Sequence, residues 1–262
     1  LARAASRWVR TSRSAKQVSL DGAEALQAAR TPPGQIATLI VPADVGWGEG
    51  GAPAAPLPVA ARPRVAPEAL RKAAQILHAG KPVMLLLSGP ALGEAGLFAA
   101  HRIAHASGAR LRTPTQVPRI ARGRGRMTVE RVPSVGDTAL GALSGLEHVI
   151  PVGTKPPMGF FAYPGKPSLM TPEDCVLTVL ARPEQDAVAA LQELADEIGA
   201  PRLVPVMEAG PKPRIVSGRF ESEAFGMTLA ALLPENAIVT DDSVTSGRSF
   251  FPATFNAAPH DW

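Results

Sequence analysis

Apolar runs of strand length alternate with helical patterns between residues 67 and 199, and this alternation constrains the fold more than any other feature. Short apolar strands that alternate with helices are typical of parallel sheets covered by helices on both faces. The sequence therefore predicts an α/β fold whose central domain is a doubly wound, Rossmann-like parallel sheet. The predicted strands are 83–88, 109–113, 148–152 and 175–180, and the predicted helices are 67–79, 94–107 and 183–198.

Two stretches rich in Gly and Pro interrupt this pattern and predict linkers, because Pro makes a connecting segment semi-rigid. The central domain is then flanked by two partial α/β domains. The predicted organisation is a partial domain at 1–50, a linker at 51–67, the central domain at 68–199, a linker at 200–220 and a partial domain at 221–262.

Each flanking segment has its own strand and helix signals. Asp21 and Glu24 form a variant of the capping box and predict a helix over 23–30. The unbroken apolar run 35–41 predicts a strand that is buried on both faces. In the last segment, Ser222 is predicted to cap a helix over 223–233, and residues 237–240 are predicted to form a strand.

Charge and composition exclude several classes of partner. The net charge of +4 is too mild to indicate nucleic acid, and no apolar run approaches the ~20 residues that span a bilayer. Cys175 is the single cysteine and is predicted to be a buried structural thiol. The predicted location is the cytoplasm. The first 20 residues contain basic side chains and no acid, which also resembles a mitochondrial transit peptide.

The segment 236–247 predicts a ligand site, because an apolar strand runs there into a polar loop. Ligands of parallel sheets gather at the carboxyl ends of the strands, and hydroxyl and backbone N–H groups can hold phosphate oxygens. The candidate cofactor-binding residues are Asp242, Thr245, Ser246 and Gly247. The alternative interpretation is an ordinary polar turn.

The order of these segments resembles that of thiamine-diphosphate-dependent enzymes of the acetolactate synthase and benzoylformate decarboxylase group. Residues 37–45 resemble the end of the first domain of that family, and residues 60–199 its central domain. Residues 221–262, which include 232–247 (Leu-Leu-Pro-Glu-Asn-Ala-Ile-Val-Thr-Asp-Asp-Ser-Val-Thr-Ser-Gly), resemble the opening of its third domain. Residues 153–168 are similar to an acetolactate synthase large-subunit-like subgroup.

The resemblance implies thiamine diphosphate and Mg²⁺ as cofactors, a 2-keto acid as substrate, and a homodimer or homotetramer. It places diphosphate contacts at Thr245 and Ser246, whereas Asp242 stands where relatives often have Glu. The glutamate that activates the cofactor is expected upstream of Leu1, and the motif that holds Mg²⁺ downstream of Trp262. We therefore expect an internal portion of an enzyme that is inactive alone.

Three other features have alternative interpretations. The stretch 88–96 resembles a dinucleotide-binding turn but lacks its Gly-x-Gly spacing, and the tight turn of any α/β unit explains it equally well. The second hypothesis for this chain is a non-catalytic α/β module that binds FAD or ADP or has a structural role. His101 and His105 lie four residues apart but lack an evident third metal ligand. Phe160 to Tyr163 suggest a core edge or a contact between domains. The arginine run predicts a solvated loop or subunit contact rather than a phosphate grip; it comprises Arg110, Arg112, Arg119, Arg122, Arg124, Arg126 and Arg131.

Overall fold

The computed structural model describes residues 1–162, 164–203, 210–243 and 245–262. Two compact units divide the chain. The first comprises Leu1–Pro63 with Pro183–Gln185, and the second comprises Arg64–Arg182 with Asp186–Trp262. Part of the predicted linker 200–220 and Tyr163 of the predicted aromatic group lie outside the described residues. The domain boundaries expected from the sequence stay predictions.

The first unit is built on a two-stranded parallel sheet of β1 (Trp8–Thr11) and β2 (Ala37–Ile40). Because β2 pairs with one strand, its side chains are half-buried to exposed, and the prediction of burial on both faces is wrong. The helices of this unit are α1 (Ala2–Ala5), α2 (Val18–Arg30) and α3 (Ala43–Trp47).

The predicted capping role of Asp21 is wrong, because α2 begins at Val18 and encloses it. The buried Asp21 carboxylate instead accepts hydrogen bonds from Arg10 Nη1 at 2.9 Å and from Ser12 Oγ at 2.7 Å. These two donors hold the pKa of Asp21 below its ordinary value, although burial opposes them. The carboxylate therefore joins the end of β1 to α2.

The second unit confirms the predicted parallel α/β sheet. Its five parallel strands are β3 (Val83–Leu87), β4 (Arg110–Thr113), β6 (Glu130–Arg131), β7 (His148–Val152) and β8 (Val176–Leu177). They lie in the order β6–β4–β3–β7–β8, and three of the four predicted strands coincide closely with β3, β4 and β7. The predicted strand 175–180 is regular only at β8, although the chain after β8 continues to hydrogen-bond along β7.

Helices cover both faces of this sheet, as a doubly wound fold requires. The predicted helices are confirmed as α4 (Pro67–His78), α5 (Glu94–Ser107) and α7 (Ala187–Glu197). Short helix α6 (Gly136–Leu143) was not predicted. Among the described residues, no helix is both long enough and apolar enough to cross a lipid bilayer.

Strand β3 lies at the centre of the sheet and contributes to two separate cores. Val83, Leu85 and Leu87 lie in the core that also holds residues of α4, α5 and α7. Met84 and Leu86 lie in a second core, with Ala139 and Leu143 of α6. Alternate side chains of a strand point to opposite faces, so the continuous apolar run in the sequence is explained by burial on both sides.

The last segment packs on the second unit through short elements. Helix α8 (Ser222–Leu232) is confirmed, but its N-cap is Glu221 rather than Ser222. The predicted strand 237–240 is wrong, because among the residues that the structure describes it forms only one parallel bridge, between Ile238 and Asp261. The remaining elements are α9 (Phe250–Ala253), β9 (His260–Asp261) and its antiparallel partner β5 (Ala121–Arg122).

Candidate functional site

The candidate loop, residues 241–247, follows the bridged segment around Ile238 directly. Asp242, Thr245 and Ser246 are exposed, whereas Gly247 is buried; Val244 lies outside the described residues. The structure thus brings the four predicted site residues into one short loop with two exposed hydroxyl groups. Such groups can donate hydrogen bonds to phosphate oxygens.

The first residue of α8 holds this loop from one side. The Ser222 hydroxyl donates to the Ser246 carbonyl oxygen at 2.7 Å and pairs with Ser249 Oγ at 2.8 Å. The sequence pattern suggested a helix cap for Ser222, which is wrong, since its hydroxyl contacts the loop instead. Ser222 therefore fixes the peptide between Ser246 and Gly247.

Gly247 is required by a close approach within the loop. A Cβ atom at this position would lie 1.7 Å from Ser243 Oγ and 2.9 Å from the Phe250 ring. The absence of a side chain therefore lets the loop close on itself between Ser243 and Phe250.

Asp241 anchors the start of the loop. Its Oδ1 accepts a hydrogen bond from the Ser243 backbone N–H at 2.9 Å and another from the Ser243 hydroxyl. Burial raises the pKa of Asp241, but the hydrogen bonds from Ser243 and Trp262, with the Arg131 charge, lower it below its ordinary value overall. Asp241 is therefore an ionised group of the loop's own structure.

Next to Asp241 lies a group that we call the arginine–aromatic cluster: Arg122, Arg131, Phe251, Phe255 and Trp262. The guanidinium carbons of Arg122 and Arg131 lie 3.6 Å and 3.7 Å from the centre of the Phe251 ring. Arg122 also faces Phe255 at 4.3 Å and Trp262 at 5.4 Å, and its Nη2 donates to the Phe251 carbonyl oxygen. Cation–π attraction stabilises such stacking most when water is excluded.

Arg122 is 2% exposed, and neither its Nε nor its Nη1 has a hydrogen-bond partner among the described residues. Burial, followed by the charge of Arg131, lowers the pKa of Arg122 to about 9. The predicted solvated loop is therefore wrong for this arginine, since aromatic side chains from 251 to 262 enclose it. The rest of the run is more exposed: Arg112 pairs with Glu130, Arg119 with Asp261 and Arg126 with Glu94.

The suggested dinucleotide-binding turn borders a cavity of about 440 Å³. The cavity is lined by Gly89, Gly93, Glu94, Arg119, Arg126 and Asp261, among others. Arg126 Nη2 lies 3.2 Å from Glu94 Oε2, and Arg119 contacts Asp261. Carboxylates thus already neutralise both guanidinium groups, so the cavity is poorly suited to bind a phosphate.

Metal ligation finds no support in the part of the chain that the structure describes. No group of three or more His, Cys, Asp and Glu side chains there could hold an ion. The rings of His101 and His105 lie 6.4 Å apart and tilted on α5. Cys175 is half-buried rather than fully buried, and burial raises the pKa of its thiol.

His260 provides a pH test of the segment that carries the cluster. Its ring is 0% exposed, Nδ1 lies 2.8 Å from the Ala258 carbonyl oxygen, and Nε2 has no partner among the described residues. Burial, with the charges of Arg122 and Arg126, lowers the pKa of His260, while the Ala258 carbonyl and Asp261 oppose this shift. The folded protein therefore resists protonation of this ring.

Because the unfolded chain binds this proton below pH ~6.5, we expect the free energy of unfolding to fall as the pH falls below that value. The contribution of one proton is at most about 1.4 kcal/mol per pH unit. His260→Asn, which keeps a donor near the Nδ1 position, is expected to flatten the slope between pH 5.5 and 7. Urea unfolding measures it, with His78→Asn as the exposed control. An unchanged slope in His260→Asn would contradict the assignment.

The chain is similar in sequence to a known protein, although no protein-family model matches it. It is 40% identical over 255 residues to the provisionally named acetolactate synthase large subunit IlvX of Mycobacterium tuberculosis. The matched residues make up 97% of this chain and 48% of that protein.

Two solved structures share the fold. One is a provisionally assigned thiamin diphosphate-dependent enzyme of Mycobacterium smegmatis, with a TM-score of 0.65 and 21% identity over 97% of this chain and 53% of that one. The other is a thiamine diphosphate-dependent 4-hydroxybenzoylformate decarboxylase of Rhodococcus jostii, with a TM-score of 0.65 and 17% identity over 97% of this chain and 52% of that one.

The chain thus shares its fold with thiamine-diphosphate-dependent enzymes, and the resemblance seen in the sequence is confirmed. By sequence it is similar to a protein named as an acetolactate synthase large subunit. The chain spans about half the length of the relatives that it matches.

Proposed function

We propose that this chain is the portion of a thiamine-diphosphate-dependent enzyme that carries the loop 241–247 as part of the diphosphate site. The observation that supports this most is the 40% identity over 97% of the chain with a protein named as an acetolactate synthase large subunit. The exposed Thr245 and Ser246 hydroxyls suit the diphosphate oxygens as hydrogen-bond donors. Asp242 and Gly247 complete the proposed contacts.

In this proposal the chain binds and orients, while the cofactor supplies the chemistry. Thiamine diphosphate, when bound, provides the electron sink for breaking or forming the bond beside a 2-keto carbonyl. Ser222 holds the Ser246 carbonyl, so the hydroxyls beside it start from a fixed backbone. The Asp241 charge is already engaged by Ser243 and Trp262 and therefore repels a diphosphate less.

Substrate and assembly follow from the family resemblance, location follows from the cysteine usage, and all three stay predictions for this chain. We propose a 2-keto acid substrate with decarboxylation or carboligation, a homodimer or homotetramer, and a cytoplasmic location. Mg²⁺ is proposed to accompany the diphosphate, held by residues other than the described ones. Since the chain spans about half of its relatives, we assign the whole reaction to the complete polypeptide.

Replacing both loop hydroxyls tests the proposal. We expect Thr245→Ala with Ser246→Ala to weaken thiamine diphosphate binding about tenfold for each lost charge-assisted hydrogen bond. Calorimetric titration with thiamine diphosphate and Mg²⁺, on the complete natural polypeptide that contains this chain, measures the loss. The matched control is Ser134→Ala with Thr138→Ala, which removes an exposed pair of hydroxyls from another part of the same unit.

Two results would contradict the proposal. One is equal affinity of the loop variant and the control. The other is saturable binding of FAD or ADP without any binding of thiamine diphosphate, which would favour the nucleotide-binding alternative. Titration of the same protein with each of the three ligands separates these outcomes.

A further inference from the structure

We propose that the arginine–aromatic cluster is a positioning device that holds both ends of the loop 241–247. The significance of the loop rests on the proposed function above, but the positioning itself is a property of this chain alone. The residues concerned all belong to the second unit.

At the start of the loop, β9 holds the chain that leads into Asp241. The Val239 N–H donates to the Asp261 carbonyl at 2.8 Å, and the Asp261 N–H donates to the Ala237 carbonyl at 2.9 Å. Trp262 of the cluster, the next residue, fixes β9 in turn, because its backbone N–H donates to the Ile120 carbonyl at 2.9 Å and its carbonyl accepts from the Ile120 N–H at 2.8 Å. The chain before Asp241 is thereby tied to the segment of the unit that contains Ile120.

At the far end, the cluster holds α9, which begins three residues after Gly247. The Phe251 ring lies between Arg122 and Arg131, and its carbonyl accepts a hydrogen bond from Arg122. The Phe250 N–H donates to the Gly247 carbonyl at 2.9 Å, so the fixed helix continues directly into the loop. Arg131 stacks on Phe251, and its charge also contributes to the lowered pKa of Asp241.

The energetics favour positioning over stability as the role of these arginines. Burying Arg122 with two guanidinium nitrogens that lack a partner among the described residues costs desolvation free energy, and apolar side chains often fill such a volume at lower cost. A guanidinium group, however, stacks on a ring and binds that residue's carbonyl at the same time. This combination fixes the orientation of Phe251 in a way that an aliphatic side chain cannot.

Trp262→Leu and Arg131→Met test the device separately. Trp262→Leu keeps apolar volume and removes the ring that faces Arg122 and packs edge-on against Phe251, whereas Arg131→Met removes the guanidinium group that stacks on Phe251. We expect each to accelerate amide hydrogen exchange about tenfold in peptides covering 241–250, because the stacking that fixes α9 is lost. Exchange in β3 and β7 is expected to stay unchanged.

Arg102→Met is the matched control, because Arg102 is another buried arginine of this unit and pairs with Asp196 at 2.8 Å, away from the cluster. Unchanged loop exchange in both test variants would overturn the proposal. So would an equal acceleration in Arg102→Met, or acceleration throughout the sheet, since either would indicate general destabilisation. The measurement needs no cofactor, so a failure of thiamine diphosphate binding would count against the proposed function alone.

Discussion

Replacing Gly123 by Ala is expected to destabilise the second unit by about 3 kcal/mol. Gly123 has φ +114°, and an added Cβ would lie 2.7 Å from the Ala258 carbonyl oxygen and 2.8 Å from Pro259 Cα. Both contacts are with backbone, which cannot rotate away. The segment 257–262 would therefore have to separate from β5, and the arginine–aromatic cluster would open with it.

Gly125→Ala provides a close control for this prediction. Gly125 also has positive φ, +81°, but no atom lies within 4 Å of an added Cβ. Its replacement is expected to cost only the backbone strain, about 1 kcal/mol. Urea unfolding of both variants separates the two contributions. Equal losses in Gly123→Ala and Gly125→Ala would show that the close approach of 257–262 to Gly123 does not stabilise this unit.

Replacing Gly247 by Ala is expected to weaken thiamine diphosphate binding by tenfold or more, with little change in global stability. The added Cβ would overlap Ser243 Oγ at 1.7 Å and Ser243 Cβ at 2.7 Å, so the loop must open. Because the loop is largely exposed, opening it exposes little additional apolar surface. Displaced hydroxyls no longer fit the diphosphate oxygens, and a loss of about 1.4 kcal/mol corresponds to tenfold in affinity.

A compensating change makes this prediction specific. Ser243→Gly removes both atoms that the new Cβ would meet on that residue, so the double variant is expected to recover part of the affinity lost in Gly247→Ala. Calorimetric titration of wild type, both single variants and the double variant gives the coupling. Additive losses, with no recovery, would contradict a steric role for Gly247.

The sheet of the second unit could be predicted from the sequence because its signals are local. The helix Glu94–Ser107 and the strand His148–Val152 have the predicted bounds, since uninterrupted patterns specify them. The prediction of a strand at 237–240 was wrong for the opposite reason, because pairing needs a partner that the local pattern does not specify. Its apolar run is genuine, but among the described residues it meets only β9, through one bridge at Ile238.

The candidate loop was identified from residue types, whereas the cluster that holds it was not. Arg122 lies in an arginine run that looks solvated, and the aromatic residues that enclose it follow about 130 residues later in the chain. The available signal was compositional. In a chain with 5% aromatic residues, Phe250, Phe251, Phe255 and Trp262 fall within a short stretch. That pattern indicates local packing, but it does not identify Arg122 as the residue that these rings enclose.

A crystal structure of the complete natural polypeptide with thiamine diphosphate and Mg²⁺ would show whether the loop 241–247 binds the diphosphate. We expect diphosphate oxygens within hydrogen-bond distance of Thr245 or Ser246, with the Phe251 ring still stacked between Arg122 and Arg131. A diphosphate bound elsewhere, with the loop 241–247 facing solvent or another protein segment, would contradict it.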